Sequence, residues 1–146
     1  MILGGSTLNE KTYYCCVSIT LVISLIVQPL SAATKTVKLK VQLASAELIE
    51  NNHVGNEWYT AGYVNGKEIE EGATVSLTLK SSDTLTLKGV AEEQDKIPES
   101  GTTTAKIKVS SITNSQSKTL KVKVTENRGR YSGNAAYWQF TFKIEK

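Results

Sequence analysis

Apolar and polar residues alternate along most of this chain after its first quarter, and no stretch there has the three-to-four-residue spacing of an amphipathic helix. The alternating runs are Val37 to Leu43, Val75 to Leu79, Leu85 to Leu87, Ala105 to Val109, Leu120 to Val124 and Trp138 to Ile144. Strict alternation puts one set of side chains on a buried face of a strand and the other set in water. The pattern therefore predicts a domain built from β-strands.

A further strand is predicted from Trp58 to Val64, because it ends at Asn65-Gly66. Both of these residues tolerate a positive φ, which makes the pair a strong signal for a two-residue hairpin turn. Lys67 to Ile69 would be a short strand after the turn, so the chain contains seven or eight strands. No connection can hold the helix of a parallel βαβ unit. The expected fold class is all-β, an antiparallel β-sandwich, with an up-and-down barrel as the alternative.

The middle of each alternating run is expected to supply the core. The residues predicted to be buried are Leu87, Val109, Val122 and Phe140. Trp58 and Trp138 are interpreted as core or rim residues of the sandwich.

Residues 1–33 differ in kind from the rest of the chain. Cys15 to Val27 is an uncharged, mainly apolar run of 13 residues, shorter than the roughly 20 residues that a membrane-spanning helix needs. Ser31-Ala32-Ala33 then supplies the small residues of a cleavage site. We predict a cleaved signal peptide at 1–33, a secreted or cell-surface location, and a single β-sandwich domain at 34–146. Both cysteines, Cys15 and Cys16, would be removed with the signal peptide.

Several classes of function lack the residues that they require. The chain has one histidine, His53, and no cysteine after residue 33, so neither a zinc site rich in histidine nor a cysteine–histidine pair can be assembled. No glycine-rich phosphate loop opens a helix, and no basic-aromatic motif indicates nucleic-acid binding. The net charge of +3 is weak. We therefore predict a protein that is not an enzyme, binds no nucleic acid and has no evident small-molecule substrate.

An unusual acidic segment follows the strand that contains Leu85 and Leu87. It carries Glu92, Glu93, Asp95 and Glu99, four carboxylates within eight residues. Like charges at this spacing repel one another unless solvent or a cation screens them. Calcium binds six to eight oxygen ligands, which suits such a segment. The other interpretation is an exposed acidic loop that protects strand ends and aids solubility.

The segment 83–109 (DTLTLKGVAEEQDKIPESGTTTAKIKV) resembles the strand–acidic loop–strand unit of C2-type domains, which are calcium- and lipid-binding β-sandwiches. Segments 37–69 and 131–144 resemble the opening and closing parts of the same family. The resemblance implies a calcium site, with ligands from Asn51, Glu57, Glu93, Asp95 and Glu99. This chain departs from the family in having glutamate and asparagine where aspartate predominates, which implies a remodelled and weaker site.

A second candidate binding segment runs from Glu126 to Asn134. Arg128 and Arg130 flank a glycine and precede Tyr131. Guanidinium groups form paired hydrogen bonds to phosphate or carboxylate, and tyrosine is frequent at interfaces. The other interpretation is an ordinary surface loop.

The function expected from these features is that of a secreted, non-enzymatic C2-like module. It would recognise a membrane, an envelope or a protein surface through loops at one end, assisted by Ca²⁺. The alternative is a structural or adhesion-type module of immunoglobulin-like topology without a bound ion. A third option is an enzyme inhibitor or a carbohydrate-binding domain that would use Trp58 or Trp138, and an exposed tryptophan in a shallow groove would favour it.

Overall fold

Eight β-strands follow one another in residues 35–146, the part of the chain that the computed structural model describes. They are β1 (Thr36–Asn51), β2 (Trp58–Val64), β3 (Lys67–Ile69), β4 (Thr74–Lys80), β5 (Thr84–Glu93), β6 (Glu99–Lys108), β7 (Gln116–Thr125) and β8 (Ala135–Glu145). Two three-residue 3-10 turns lie at Val109–Ser111 and Gly129–Tyr131. None of the helical turns within 35–146 is long and apolar enough to span a membrane. The predicted signal peptide, with Cys15 and Cys16, lies outside the described residues.

The strands form two four-stranded sheets in which every neighbouring pair is antiparallel. One sheet has the order β4-β1-β8-β7, and the other has the order β3-β2-β5-β6. We call them the first and the second sheet. Two separate sheets make a sandwich rather than one closed barrel. The predicted all-β antiparallel sandwich is confirmed, with eight strands.

The turn between β2 and β3 has the conformation that its sequence predicts. Asn65 has a φ of 49° and Gly66 a φ of 81°, so both central residues adopt the positive φ of the favoured hairpin turn. The Asn65 side chain also accepts a hydrogen bond of 2.8 Å from the backbone N–H of Thr86 on β5. The turn is thereby tied to the neighbouring strand.

The core lies between the inner faces of the two sheets. All four residues predicted from the alternation to be core, Leu87, Val109, Val122 and Phe140, are fully buried. The Phe140 ring packs against Gly89 on the opposite sheet, where a Cβ atom would overlap it. The Trp58 and Trp138 rings, 5.5 Å apart between centroids, pack against this core from one end of the sandwich.

The boundaries of three elements differ from the sequence-based expectation. The first strand continues beyond Leu43 to Asn51, because register shifts after Leu43 and after Leu48 interrupt the alternation without ending the pairing with β8. Val109 is buried, but it belongs to a 3-10 turn, since β6 ends at Lys108. β7 begins at Gln116, four residues before the alternating run that starts at Leu120.

The outer strands β6 and β7 cover each other on one side of the sandwich. Gly101 of β6 packs so closely on the backbone carbonyl of Lys123 in β7 that an added Cβ atom would overlap it. The hydroxyl of Thr103 donates a hydrogen bond of 2.7 Å to the backbone carbonyl of Lys121. The edges of the two sheets are therefore in direct contact on this side.

Candidate functional site

Three connections come together at the end of the sandwich where β1, β5 and β7 finish. They are the β1–β2 loop (52–57), the β5–β6 loop (94–98) and the β7–β8 loop (126–134). Backbone hydrogen bonds tie them together: Gln94 N–H donates to the Glu57 carbonyl at 2.7 Å, and Asn52 N–H donates to the Ala135 carbonyl at 3.2 Å. The antiparallel topology thus brings distant parts of the sequence to one surface.

A cluster of three carboxylates lies at this end. One oxygen from each of Glu93, Asp95 and Glu99 lies within 4.8 Å of the others. The side chains of Glu93 and Glu99 are buried, only 3% and 6% exposed, whereas Asp95 is exposed. We predicted from the sequence that Glu93, Asp95 and Glu99 all lie in a loop, and this prediction is wrong for Glu93 and Glu99. Glu93 is the last residue of β5 and Glu99 the first of β6.

The alternation of β5 explains why Glu93 points inward. Leu85, Leu87 and Ala91 lie on the buried face of this strand, and Glu93 continues their two-residue period. Gly55 in the β1–β2 loop provides the space, because a Cβ atom at this position would overlap the Glu93 carboxylate. The same backbone period that builds the core therefore places a carboxylate at its rim.

Hydrogen bonds hold the β5–β6 loop against this carboxylate. The backbone N–H of Asp95 donates to Oε2 of Glu93 at 3.1 Å, and Oδ1 of Asp95 accepts from the backbone N–H of Ile97 at 2.7 Å. Burial raises the pKa of Glu93 above its ordinary value of 4.5, and the Asp95 N–H bond offsets part of this rise. The charges of Asp95, Glu99 and Glu126 raise the pKa further.

The Glu99 carboxylate has a different environment. Among residues 35–146 it forms neither a hydrogen bond nor an ion pair, although its side chain is buried. Glu99 lies directly opposite Glu93 on the paired strands β5 and β6, and a cation between their carboxylates would offset the repulsion of the two charges. The donor set fits a hard cation: three carboxylates supply up to six oxygens, and opposed ligands of Ca²⁺ lie about 5 Å apart. The cluster could hold such an ion with its oxygens close to their present separation.

The two remaining residues of the predicted ligand set are Asn51, the last residue of β1, and Glu57 in the β1–β2 loop. Asn51 uses its side chain to close that loop, since Nδ2 donates to the Gly55 carbonyl at 2.7 Å and Oδ1 accepts from Val54 N–H at 2.9 Å. The Glu57 side chain is exposed and lies outside the carboxylate cluster. In this structure the two residues position the loop beside the cluster.

The predicted arginine segment forms the β7–β8 loop, with a 3-10 turn at Gly129–Tyr131. Arg128 and Arg130 are exposed, and the Arg130 guanidinium lies 5.5 Å from the centre of the Tyr131 ring. Tyr131 in turn packs against His53 of the β1–β2 loop, with the ring centroids 4.9 Å apart. The arginines and the carboxylate cluster therefore belong to the same end of the domain.

A cleft of about 440 Å³ opens between the β1–β2 and β7–β8 loops. Its lining residues are Asn51, His53, Gly55, Asn56, Glu126 and Tyr131. The sequence did not identify Glu126 as part of the acidic site, although its charge reaches Glu93. It is 33 positions away along the chain, and only the pairing of β7 with β8 brings its loop here. For Glu93, in contrast, the alternation of β5 does indicate that the side chain points inward.

The two tryptophans do not form a flat exposed surface. Trp58 and Trp138 are half-buried and packed on each other, and neither buried indole N–H has a hydrogen-bond partner among the described residues. Stacking on a sugar ring needs an exposed aromatic face. The arrangement does not favour the carbohydrate-binding option.

No protein-family model matches the chain, and no curated protein matches it. The fold is compatible with C2-like and with immunoglobulin-like sandwiches. Functional conclusions therefore depend on the geometry of the loops at this end.

Proposed function

We propose that this chain is a secreted, non-enzymatic binding module of the C2-like type. In this proposal Glu93, Asp95 and Glu99 hold Ca²⁺, and the surrounding loops attach the domain to an anionic membrane or envelope surface. The observation that carries the proposal is the convergence of three carboxylates, two of which belong to the largely buried residues Glu93 and Glu99. A protein surface is the alternative partner.

The strand order differs from that of a constant-type immunoglobulin domain. In this chain the first strand, β1, pairs directly with the last, β8, in the same sheet. The constant-type immunoglobulin order assigns the first and last strands to different sheets. The resemblance of the segment 83–109 to the acidic unit of C2-type domains supports the C2-like type.

The arginines of the β7–β8 loop support an anionic partner. Arg128 and Arg130 are exposed at the same end as the carboxylate cluster. A calcium ion in the cluster would neutralise negative charge that otherwise repels an anionic surface. The two guanidinium groups would then bind phosphate or carboxylate groups of that surface by paired hydrogen bonds.

Terbium luminescence tests the cation site. Trp58 lies directly opposite Glu93 on β2, so its excitation should sensitise a Tb³⁺ ion held by the cluster. We expect emission that calcium displaces and that Glu99→Gln weakens strongly. The matched control is Glu92→Gln, which removes the same charge from the neighbouring residue on the outer face of β5. Emission that calcium does not displace, or that both variants reduce equally, would overturn the cation site.

Co-sedimentation with lipid vesicles tests the partner. Vesicles containing phosphatidylserine should bind the domain in calcium and release it in EDTA, while vesicles of phosphatidylcholine alone should not bind it. Arg128→Ala combined with Arg130→Ala should weaken binding. The control pair Lys106→Ala and Lys108→Ala lies on β6, toward the opposite end of the sandwich. Absence of calcium-dependent binding would remove the membrane from the proposal.

A further inference from the structure

The edge strand β4 presents a free backbone edge. It pairs with β1 on one side, and among residues 35–146 no strand pairs with its other side. The other edges differ from it. In the second sheet β3 has only three residues, while β6 and β7 cover each other through the contacts of Gly101 and Thr103. The long uncovered edge of the sandwich is therefore β4.

This edge has few of the features by which proteins prevent edge-to-edge pairing. Such features are proline, a bulge, a very short strand, charged side chains (lysine especially) and a charge on the inward face, and of these β4 has only Lys80 at its end. β4 has seven residues, contains no proline, and pairs with β1 without a register shift. Its inward residues are Val75, Leu77 and Leu79, and each is only half-buried.

We propose that β4 binds the β4 strand of a second copy of this chain. Antiparallel pairing about a two-fold axis at Leu77 places Val75 opposite the partner's Leu79 and Leu77 opposite the partner's Leu77. All three inward side chains then gain apolar cross-strand contacts. The two first sheets join into one sheet of eight strands. This proposal does not depend on the proposed calcium site.

The charge distribution of β4 allows it to pair with the β4 strand of a second copy of the chain. Lys80 is the only charged residue of the strand. In the two-fold pairing it lies opposite Thr74, and the two copies of Lys80 are about 20 Å apart along the strands. That separation exceeds the Debye length of about 8 Å at physiological ionic strength, so the lysines do not repel appreciably. A one-residue change of register would place apolar residues opposite polar ones.

Analytical ultracentrifugation of residues 34–146 over a range of concentrations tests the proposal. We expect a concentration-dependent dimer. Leu77→Lys would place two ammonium groups opposite each other at the axis and should weaken dimerisation by about tenfold or more. Thr119→Lys is the control, because it adds the same charge on the exposed face of β7, at the other edge of the same sheet. A monomer at every concentration, or equal weakening by both variants, would overturn the proposal.

A second measurement covers the case in which Leu77→Lys fails to fold. Leu77→Cys introduces a single cysteine into residues 34–146, which contain none. Under mild oxidation it should form an intermolecular disulfide much faster than Thr119→Cys, because the two-fold axis brings the two copies together. Equal rates for the two variants would show that β4 is not the interface.

Discussion

Glu93 and Glu99 lie directly opposite each other on β5 and β6, and both side chains are on the buried side of the sheet. Like charges directly opposite on a sheet destabilise it, and burial strengthens their repulsion. Asp95 adds a third carboxylate from the connecting loop. This end of the domain is therefore less stable when all three groups are charged than when a proton or a cation is bound.

The raised pKa of Glu93 should make the stability of the domain depend on pH. The folded-state pKa of Glu93 is raised above the ordinary 4.5, chiefly by burial, so the folded domain binds the proton more tightly than the unfolded chain. This contribution to stability is complete below that ordinary value and is lost as pH rises through the raised pKa. In EDTA, wild type should gain stability relative to Glu93→Gln as pH falls from above the raised pKa toward the ordinary value of 4.5. Urea midpoints of both proteins measure the difference, and parallel pH profiles would contradict the assignment.

Gly55 should be required for the position of the Glu93 carboxylate. A Cβ atom at Gly55 would overlap that carboxylate, and the φ of 102° is itself unfavourable for alanine. Gly55→Ala should lower both stability and cation affinity. Gly72→Ala is the matched control, since Gly72 also has a positive φ, of 81°, but faces open space. Both variants should lose about 1–3 kcal/mol from backbone strain, and only Gly55→Ala should also weaken terbium binding.

Phe140 should be among the residues that contribute most to stability. It is fully buried, and its ring fills the space above Gly89 in the opposite sheet. Truncation of a buried phenylalanine costs about 3–5 kcal/mol, a large part of the 5–15 kcal/mol typical of a domain. Phe140→Ala should therefore shift the denaturation midpoint strongly or prevent folding. Ile97→Ala, which shortens an exposed apolar side chain in the β5–β6 loop, should change the midpoint little.

Local sequence determined most of the fold. The alternation of apolar and polar residues identified Phe140 as buried, and the Asn65-Gly66 pair identified the hairpin. Both features could be predicted because they depend only on residues that are neighbours in the sequence. The length of β1 was not predictable in this way. Its bulges after Leu43 and Leu48 exist because of pairing with β8, which is almost a hundred residues further along the chain.

The candidate site was predictable only where local rules govern it. The spacing of the carboxylates identified the acidic segment, and the resemblance to C2-type domains implied Glu93, Asp95 and Glu99 as ligands; the alternation of β5 accounts for the burial of Glu93. The contribution of Glu126 and the contact of His53 with Tyr131 were not predictable, because they form between loops that are distant in sequence. Such contacts depend on how the strands are ordered in the sheets.

The most direct test of the calcium site is a thermal melt of residues 34–146 in calcium and in EDTA. A ligand that binds only the folded state at 100 times its Kd stabilises by about 2.7 kcal/mol. For a domain of this size this raises the Tm by about 10 °C. Wild type and Glu92→Gln should show this rise at calcium concentrations about 100 times the Kd, and Asp95→Asn should lose it. In EDTA, Asp95→Asn should melt no lower than wild type, because it removes one of three repelling charges. Identical melting temperatures for wild type in calcium and in EDTA would contradict the calcium site.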